Sequence, residues 1–267
     1  MDAIIIKYYG FQYVLNKLPN EIKEKLSYDD SLLFSLISFK SSPRFYSKKD
    51  KYDIFNKINN ESFKNVIIDS TISLFTDNDF NKLLFLYGLV ISDEIDNYLN
   101  QYLNQISKDY SLNESINMAD KIIADKYEFN VDDLIKNYPD SFIYYDYMDE
   151  LIHLLFIKYY NFFGSTNYFK IAYRKMKKFY KNKTKPKIFN LEINESRYFD
   201  KYSTVIFNKN REEYIINNKN YHYDFNDFID FIYSKIYDKI NAINAFLFDN
   251  INDLFIKEYN IDPDIKI

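Results

Sequence analysis

The chain has 267 residues, a formal net charge of −4 and no cysteine. Its length allows one large domain with a sizeable core. The missing cysteines exclude disulfides, thiol catalysis and cysteine-ligated zinc, and the acidic balance argues against generic nucleic-acid binding. Only three glycines and five prolines are present, so tight turns are few and long helices are favoured over many short strands. Aromatic residues make up 20% of the chain, with 28 Tyr, 25 Phe and no Trp. With Asn, Lys and Ile also abundant, this is a composition that an AT-rich genome produces, so individual tyrosines are not read as functional. Two histidines, His153 and His222, leave any metal site to rely mainly on carboxylates.

The opening MDAIIIKYYG has an acid at position 2 and a lysine after one short apolar run, which is not a secretory pattern. The longest apolar run, Leu83 to Ile91, is too short to span a bilayer. The expectation is a cytoplasmic protein, with membrane association confined to its surface.

Residues 4–18 place Ile4, Ile5, Tyr8, Phe11, Val14, Leu15 and Leu18 at helical spacing, and Pro19 ends the pattern. Residues 20–26 form a short second helix and Leu32 to Phe39 a third, before the loop SSPRFYSKKD. Residues 53–75 are amphipathic, with Ile54, Phe55, Ile58, Phe63, Val66 and Ile67 apolar. Thr76-Asp77-Asn78 signals the start of the helix that contains Leu83–Ile106. Gly88 sits in its all-apolar half, where only a close helix–helix approach would offset the cost of a mid-helix glycine, about 1 kcal/mol against Ala. Ser92, Asp96 and Asn100, at i, i+4 and i+8, draw one polar line along the otherwise apolar element. Such a line is costly in a core unless its groups are hydrogen-bonded.

Ser111 and Glu114 form a capping box ahead of the next helix. Asp149 to Phe162 is an apolar helix in which His153, between Ile152 and Leu154, reads as a core histidine with one satisfied nitrogen; His222 reads as a loop residue. Asn167 to Lys181 carries apolar Tyr168, Phe169, Ala172, Tyr173, Met176, Phe179 and Tyr180, and runs into a linker at Lys183–Lys187. Residues 197–223 are the least helical, and Thr204–Phe207 with Tyr214–Ile216 form a candidate hairpin. Asp224 then caps a final helix from Phe225 to about Lys257, with Ile251 and Leu254 on its apolar stripe.

The wording YGLVISDEIDNYLNQYL resembles a motif of the bacterial zinc-dependent phospholipase C proteins, the family of the clostridial alpha-toxin catalytic domain. That motif has the form YGF-x-x-H-x-x-x-D-x-x-x-HP-Y. Tyr87, Gly88, Asp96 and Tyr102 match it, whereas Ser92 and Asn100 stand at the two His positions and Gln101 at the Pro. The opening helix resembles the family's H-Y-x-x-G-x-x-VL-x-x-LP through Tyr8, Val14, Leu15, Leu18 and Pro19, with Gly10 one place out of register and Lys7 where a His ligand would stand. Residues 168–180 resemble its Y-x-x-AY-x-x-MKKFY helix. Asn113 and Asn117 occupy the places of an H-x-x-x-E ligand pair, and Ser41-Ser42-Pro43 offers no carboxylate where the family has an Asp ligand.

The resemblance runs from about residue 4 to 258. It implies a single all-α domain over 1–267, a bundle of roughly 8–10 helices with a cleft among them. In the family, three zinc ions in that cleft hydrolyse a phosphodiester, polarising the phosphoryl oxygen and activating a bound water. Here Asp96 is the one ligand position retained, and Lys7, Ser92, Asn100, Asn113 and Asn117 cannot balance the charge of three zinc ions. The expectation is therefore a metal-free, catalytically inactive phospholipase C-like protein, without zinc, kept as a module that binds a lipid head group, a phosphate compound or a protein.

Two alternatives stand beside it. An active metal-dependent phosphodiesterase could use rearranged carboxylates among Asp93, Glu94, Asp96, Asp120, Asp125 and Asp149, with His153, a donor set suited to magnesium, manganese or calcium. Against it, Asp93 and Glu94 are expected to point away from the Asp96 face into solvent. A peripheral membrane protein could use Arg174, Lys175, Lys177, Lys178, Lys181 and Lys183, part of an acid-free stretch that continues to Lys187. Anionic lipid attracts such a stretch by about 1 kcal/mol per cation near its surface. Lipid is preferred over nucleic acid because the rest of the chain is acidic.

Overall fold

The chain folds around the helix with the longest apolar stretch. The computed structural model describes residues 3–40, 57–58, 63–75, 80–106, 111–129, 146–162, 167–168, 170–172, 174–175, 178, 214–216, 219–221 and 224–262. Among them, helices α1 (Ile4–Lys17), α2 (Asn20–Lys23), α3 (Asp30–Ser38), α4 (Lys64–Leu74), α5 (Phe80–Ile106), α6 (Leu112–Lys126) and α7 (Asp146–Tyr160) precede a short hairpin of β1 (Tyr214–Ile216) and β2 (Lys219–Tyr221). Helices α8 (Phe225–Asp249) and α9 (Asn252–Tyr259) follow. The architecture is an all-α bundle.

Helix α5 packs against α1, α3, α4, α6, α8 and β1, which makes it the hub. Its first half is buried on every side: Leu83, Leu84, Phe85, Leu86, Tyr87, Leu89, Val90 and Ile91 are all core residues. Further along, Ile95, Leu99, Tyr102 and Leu103 keep one face inside. Gly88 is where α3 crosses. A Cβ built there would lie 2.8 Å from the Leu36 Cβ and 3.0 Å from the Leu36 carbonyl carbon, so only glycine lets the two backbones meet.

Local signals position the other helices. Ser111 and Glu114 close the capping box of α6, and the Asp224 and Asp29 side chains accept from the backbone N–H groups of Asp227 and Leu32 at the starts of α8 and α3. Helix α1 has no such cap on its own strand of sequence. Its first-turn Ile6 N–H instead donates to Asp120 Oδ1 from α6, at 3.0 Å. That hydrogen bond gives Asp120 a structural role and fixes α1 against α6.

Two expectations change. The final helix is broken: Asn250 adopts the left-handed conformation at φ 54°, which Asn tolerates better than most residues, and the Ile251 N–H closes back on the Ala245 carbonyl at 3.0 Å. Ile251 is therefore exposed rather than on the stripe, and α9 folds back so that Phe255 stacks on Phe246. The hairpin also differs. Tyr214–Ile216 is a strand, but it pairs antiparallel with Lys219–Tyr221, Tyr214 opposite Tyr221. A partner so close in sequence costs less closure entropy than one across residues 208–213. Thr204–Phe207 lies outside the described residues. No helix among the described residues is long and apolar enough to cross a membrane.

Candidate functional site

Side chains from three different elements converge on one short segment of α5, Ser92 to Asp96. Lys7 enters from α1. It occupies a position on the apolar face, three residues after Ile4 and four before Phe11, and its side chain is completely buried. Its Nζ lies 2.7 Å from Asp96 Oδ1. Lys40, just beyond the end of α3, reaches the same place from the other side. Its Nζ lies 2.6 Å from Asp93 Oδ1 and 3.7 Å from Asp96 Oδ2. Ser92, one turn before Asp96, donates from Oγ to the Ile37 carbonyl at 2.6 Å, tying α5 to α3.

On the neighbouring face, Lys239 of α8 forms a short salt bridge to Glu94 Oε1. The Lys239 ammonium also sits 5.4 Å from the centroid of the Tyr259 ring on α9. Glu94 is the buried partner here, 5% exposed against 24% for Lys239. Burial pushes the Glu94 carboxyl above the usual carboxylate range, the Lys239 ammonium pulls it back, and the charge of Asp93 adds to the rise. The Tyr259 hydroxyl is held well above its ordinary value by burial, then by the charges of Glu94 and Asp93, and it has no hydrogen-bond partner.

Each of the three carboxylates on this segment is thus matched by a lysine, and the three lysines come from α1, the end of α3 and α8. The expectation that Asp93 and Glu94 point into solvent is corrected. Glu94 is nearly fully buried, and Lys40 draws Asp93 and Asp96 into one cluster. Lys7 does not simply add positive charge to the segment either. A fully buried ammonium needs an anion within reach, and Asp96 supplies it.

The other predicted residues fall differently. Asn100 follows Asp96 one turn on and is half-buried; Asn117 is half-buried on α6. Asn113 is on α6, with its side chain outside the described set. Asp125 pairs at the surface with Lys121 in its own helix, 2.7 Å away. Asp149 lies on α7, with its side chain outside the described set. His153 is half-buried, and its Nδ1 is buried without a hydrogen-bond partner. Arg174, Lys175 and Lys178 are exposed. The side chains of Lys177, Lys181 and Lys183, and His222, lie outside the described residues.

The donor set does not fit zinc ions. Among the described residues no group of three or more His, Asp or Glu side chains could hold a metal. Asp96 Oδ1 already accepts from an ammonium, and a cation placed beside it would face Lys7 and Lys40 at contact distances. A centre of this kind can hold helices together by charge, but it offers no open position for a metal-bound water.

Lys7 and Lys239 had a readable signal. Each interrupts an apolar stripe at helical spacing, Lys239 three residues after Ile236 and four before Ile243. A lysine on such a stripe calls for a carboxylate within reach, and Asp96 is the acid on the polar line of α5. Lys40, at the edge of a loop, gave no such signal. In comparisons with known proteins, no family model, no curated protein and no solved structure matches this chain.

Proposed function

We propose that this chain is a diverged, metal-free relative of the zinc-dependent phospholipase C proteins that has given up phosphodiester hydrolysis and acts as a binding or interaction module. The Lys7 ammonium on Asp96 carries this reading, because it puts a protein cation at the one ligand position that the resemblance retains. The all-α architecture and the close passage of α3 over Gly88 in the motif helix are consistent with the resemblance. Asp93, Glu94 and Asp96 are each paired with a lysine, and those ammonium groups oppose a metal ion at the same carboxylates.

Elemental mass spectrometry of protein purified without chelator tests it, together with an assay for phosphodiester hydrolysis in added zinc, magnesium, manganese or calcium. The expected result is no stoichiometric metal and no hydrolysis. One or more tightly held ions, or metal-dependent turnover, would overturn the reading.

The exposure of Arg174, Lys175 and Lys178 favours an anionic surface as the binding partner over a ligand held inside the bundle. Vesicles containing phosphatidylserine should retain the protein at low salt and release it at high salt. Binding that is unchanged when Lys177, Lys178, Lys181 and Lys183 are replaced by Ser would assign the retained function to a protein partner instead.

A further inference from the structure

We infer that α9 is a detachable strap, docked by aromatic burial but opposed by an unpaired hydroxyl under its C-terminal end, which opens and melts as a unit while the rest of the bundle stays folded. This goes beyond the metal-free reading and does not rest on it. Helix α9 has 8 residues, too few to hold as an isolated helix in water. Ile251 gives its first turn no side-chain cap, and left-handed asparagines stand at both ends, Asn250 before it and Asn260 after it. It packs chiefly on α8. Two aromatic side chains dock it. Phe255 is wholly buried and stacks on Phe246 with ring centroids 4.8 Å apart, and the Tyr259 ring, 4.9 Å from that of Phe255, is also buried.

The opposing cost gathers around Tyr259. Its buried hydroxyl has no hydrogen-bond partner among the described residues, and a buried group left unpaired offsets part of what burial of the ring contributes. Two contacts hold this end down: the Lys239 ammonium beside the Tyr259 ring, and Lys64 of α4, which donates from Nζ to the Asn260 carbonyl at 3.2 Å. They also bring two ammonium groups together. Burial, and then the charge of Lys239, hold the Lys64 ammonium below its ordinary pKa. Opening at Asn250 returns the Tyr259 hydroxyl to water and carries its ring away from Lys239, so water reaches the Glu94–Lys239 side of the α5 charge centre.

The test is amide hydrogen exchange of the full chain in urea concentrations below the unfolding transition, comparing α9 with α5. In the wild type, α9 should exchange through an opening that barely responds to urea, and α5 through global unfolding with its full urea dependence. Tyr259→Phe keeps the ring and removes the unpaired group, so protection of α9 should rise roughly fivefold to tenfold. Ile123→Val, in the core of α6, trims a contact that stays made when the strap opens. It should lower protection in α5 roughly twofold to tenfold and leave that of α9 unchanged. Exchange of α9 that follows α5 in its urea dependence, or that falls with it in Ile123→Val, would overturn the inference. So would a Tyr259→Phe variant whose α9 protection is unchanged or lower.

Discussion

Two ion pairs on adjacent faces of α5 are built in opposite senses. In the Lys7–Asp96 pair the cation is fully buried and the carboxylate is 21% exposed; in the Glu94–Lys239 pair the carboxylate is buried and the cation is 24% exposed. Removing one partner of a buried pair strands the other, so the cost depends on which partner is inside. Asp96 has a second cation, Lys40, and some access to water. Glu94 has a different outlet: burial already favours its neutral form, and a carboxyl can take up a proton. The difference teaches that the cost of breaking each pair depends on which partner is inside and on what else lies within its reach.

The largest effect is expected from Asp96→Asn, which takes away the carboxylate 2.7 Å from the buried Lys7 ammonium. A loss of about 3–5 kcal/mol should appear in urea denaturation. Lys239→Met comes next, at about 1–3 kcal/mol near neutral pH, because Glu94 then has no adjacent ammonium from α8. Its cost should shrink as the solution is acidified. Glu94 has a folded-state pKa above its unfolded value, so the folded state binds the proton more readily. Its charge costs stability in full above the folded pKa, and that cost is relieved as pH falls towards the unfolded value of about 4.3. Urea midpoints of Lys239→Met and wild type should therefore converge between neutral pH and about pH 5; a constant gap would break the comparison.

Smaller still is Lys7→Met. It replaces a buried charge by an apolar chain of similar volume and leaves Asp96 with Lys40 and water, so the change should stay below about 1.5 kcal/mol. Glu94→Gln should be the mildest. It removes a desolvated charge and frees Lys239 to turn outward, so the urea midpoint at neutral pH should hold or rise slightly; a loss as large as that of Asp96→Asn would erase the asymmetry.

Much of this arrangement can be read in the chain itself. The hub helix is the longest apolar stretch, Gly88 announces a close crossing, and Ser111–Glu114 and Asp224 mark helix starts, because each of these signals is local. The pairing of charges is not local. Lys7 meets Asp96, Lys40 meets Asp93 and Lys239 meets Glu94 only after α1, α3 and α8 have packed on α5. The acids Asp93 and Glu94 look solvated in sequence because an acidic run on a helix gives no sign of which helix will cover it. Asn250 likewise breaks the last helix through one left-handed residue that the apolar stripe does not reveal, since Ile251 and Leu254 continue the pattern.

The most direct test of the central claim, that the Lys7 ammonium is the cation of Asp96, is a double-mutant cycle in urea with Lys7→Met, Asp96→Asn and the two combined. The account predicts that Asp96→Asn alone is strongly destabilised and that adding Lys7→Met recovers most of the loss, since the buried ammonium is then gone. A double variant that loses the sum of the two single effects would contradict it, and would mean that Lys7 and Asp96 lie side by side without depending on each other.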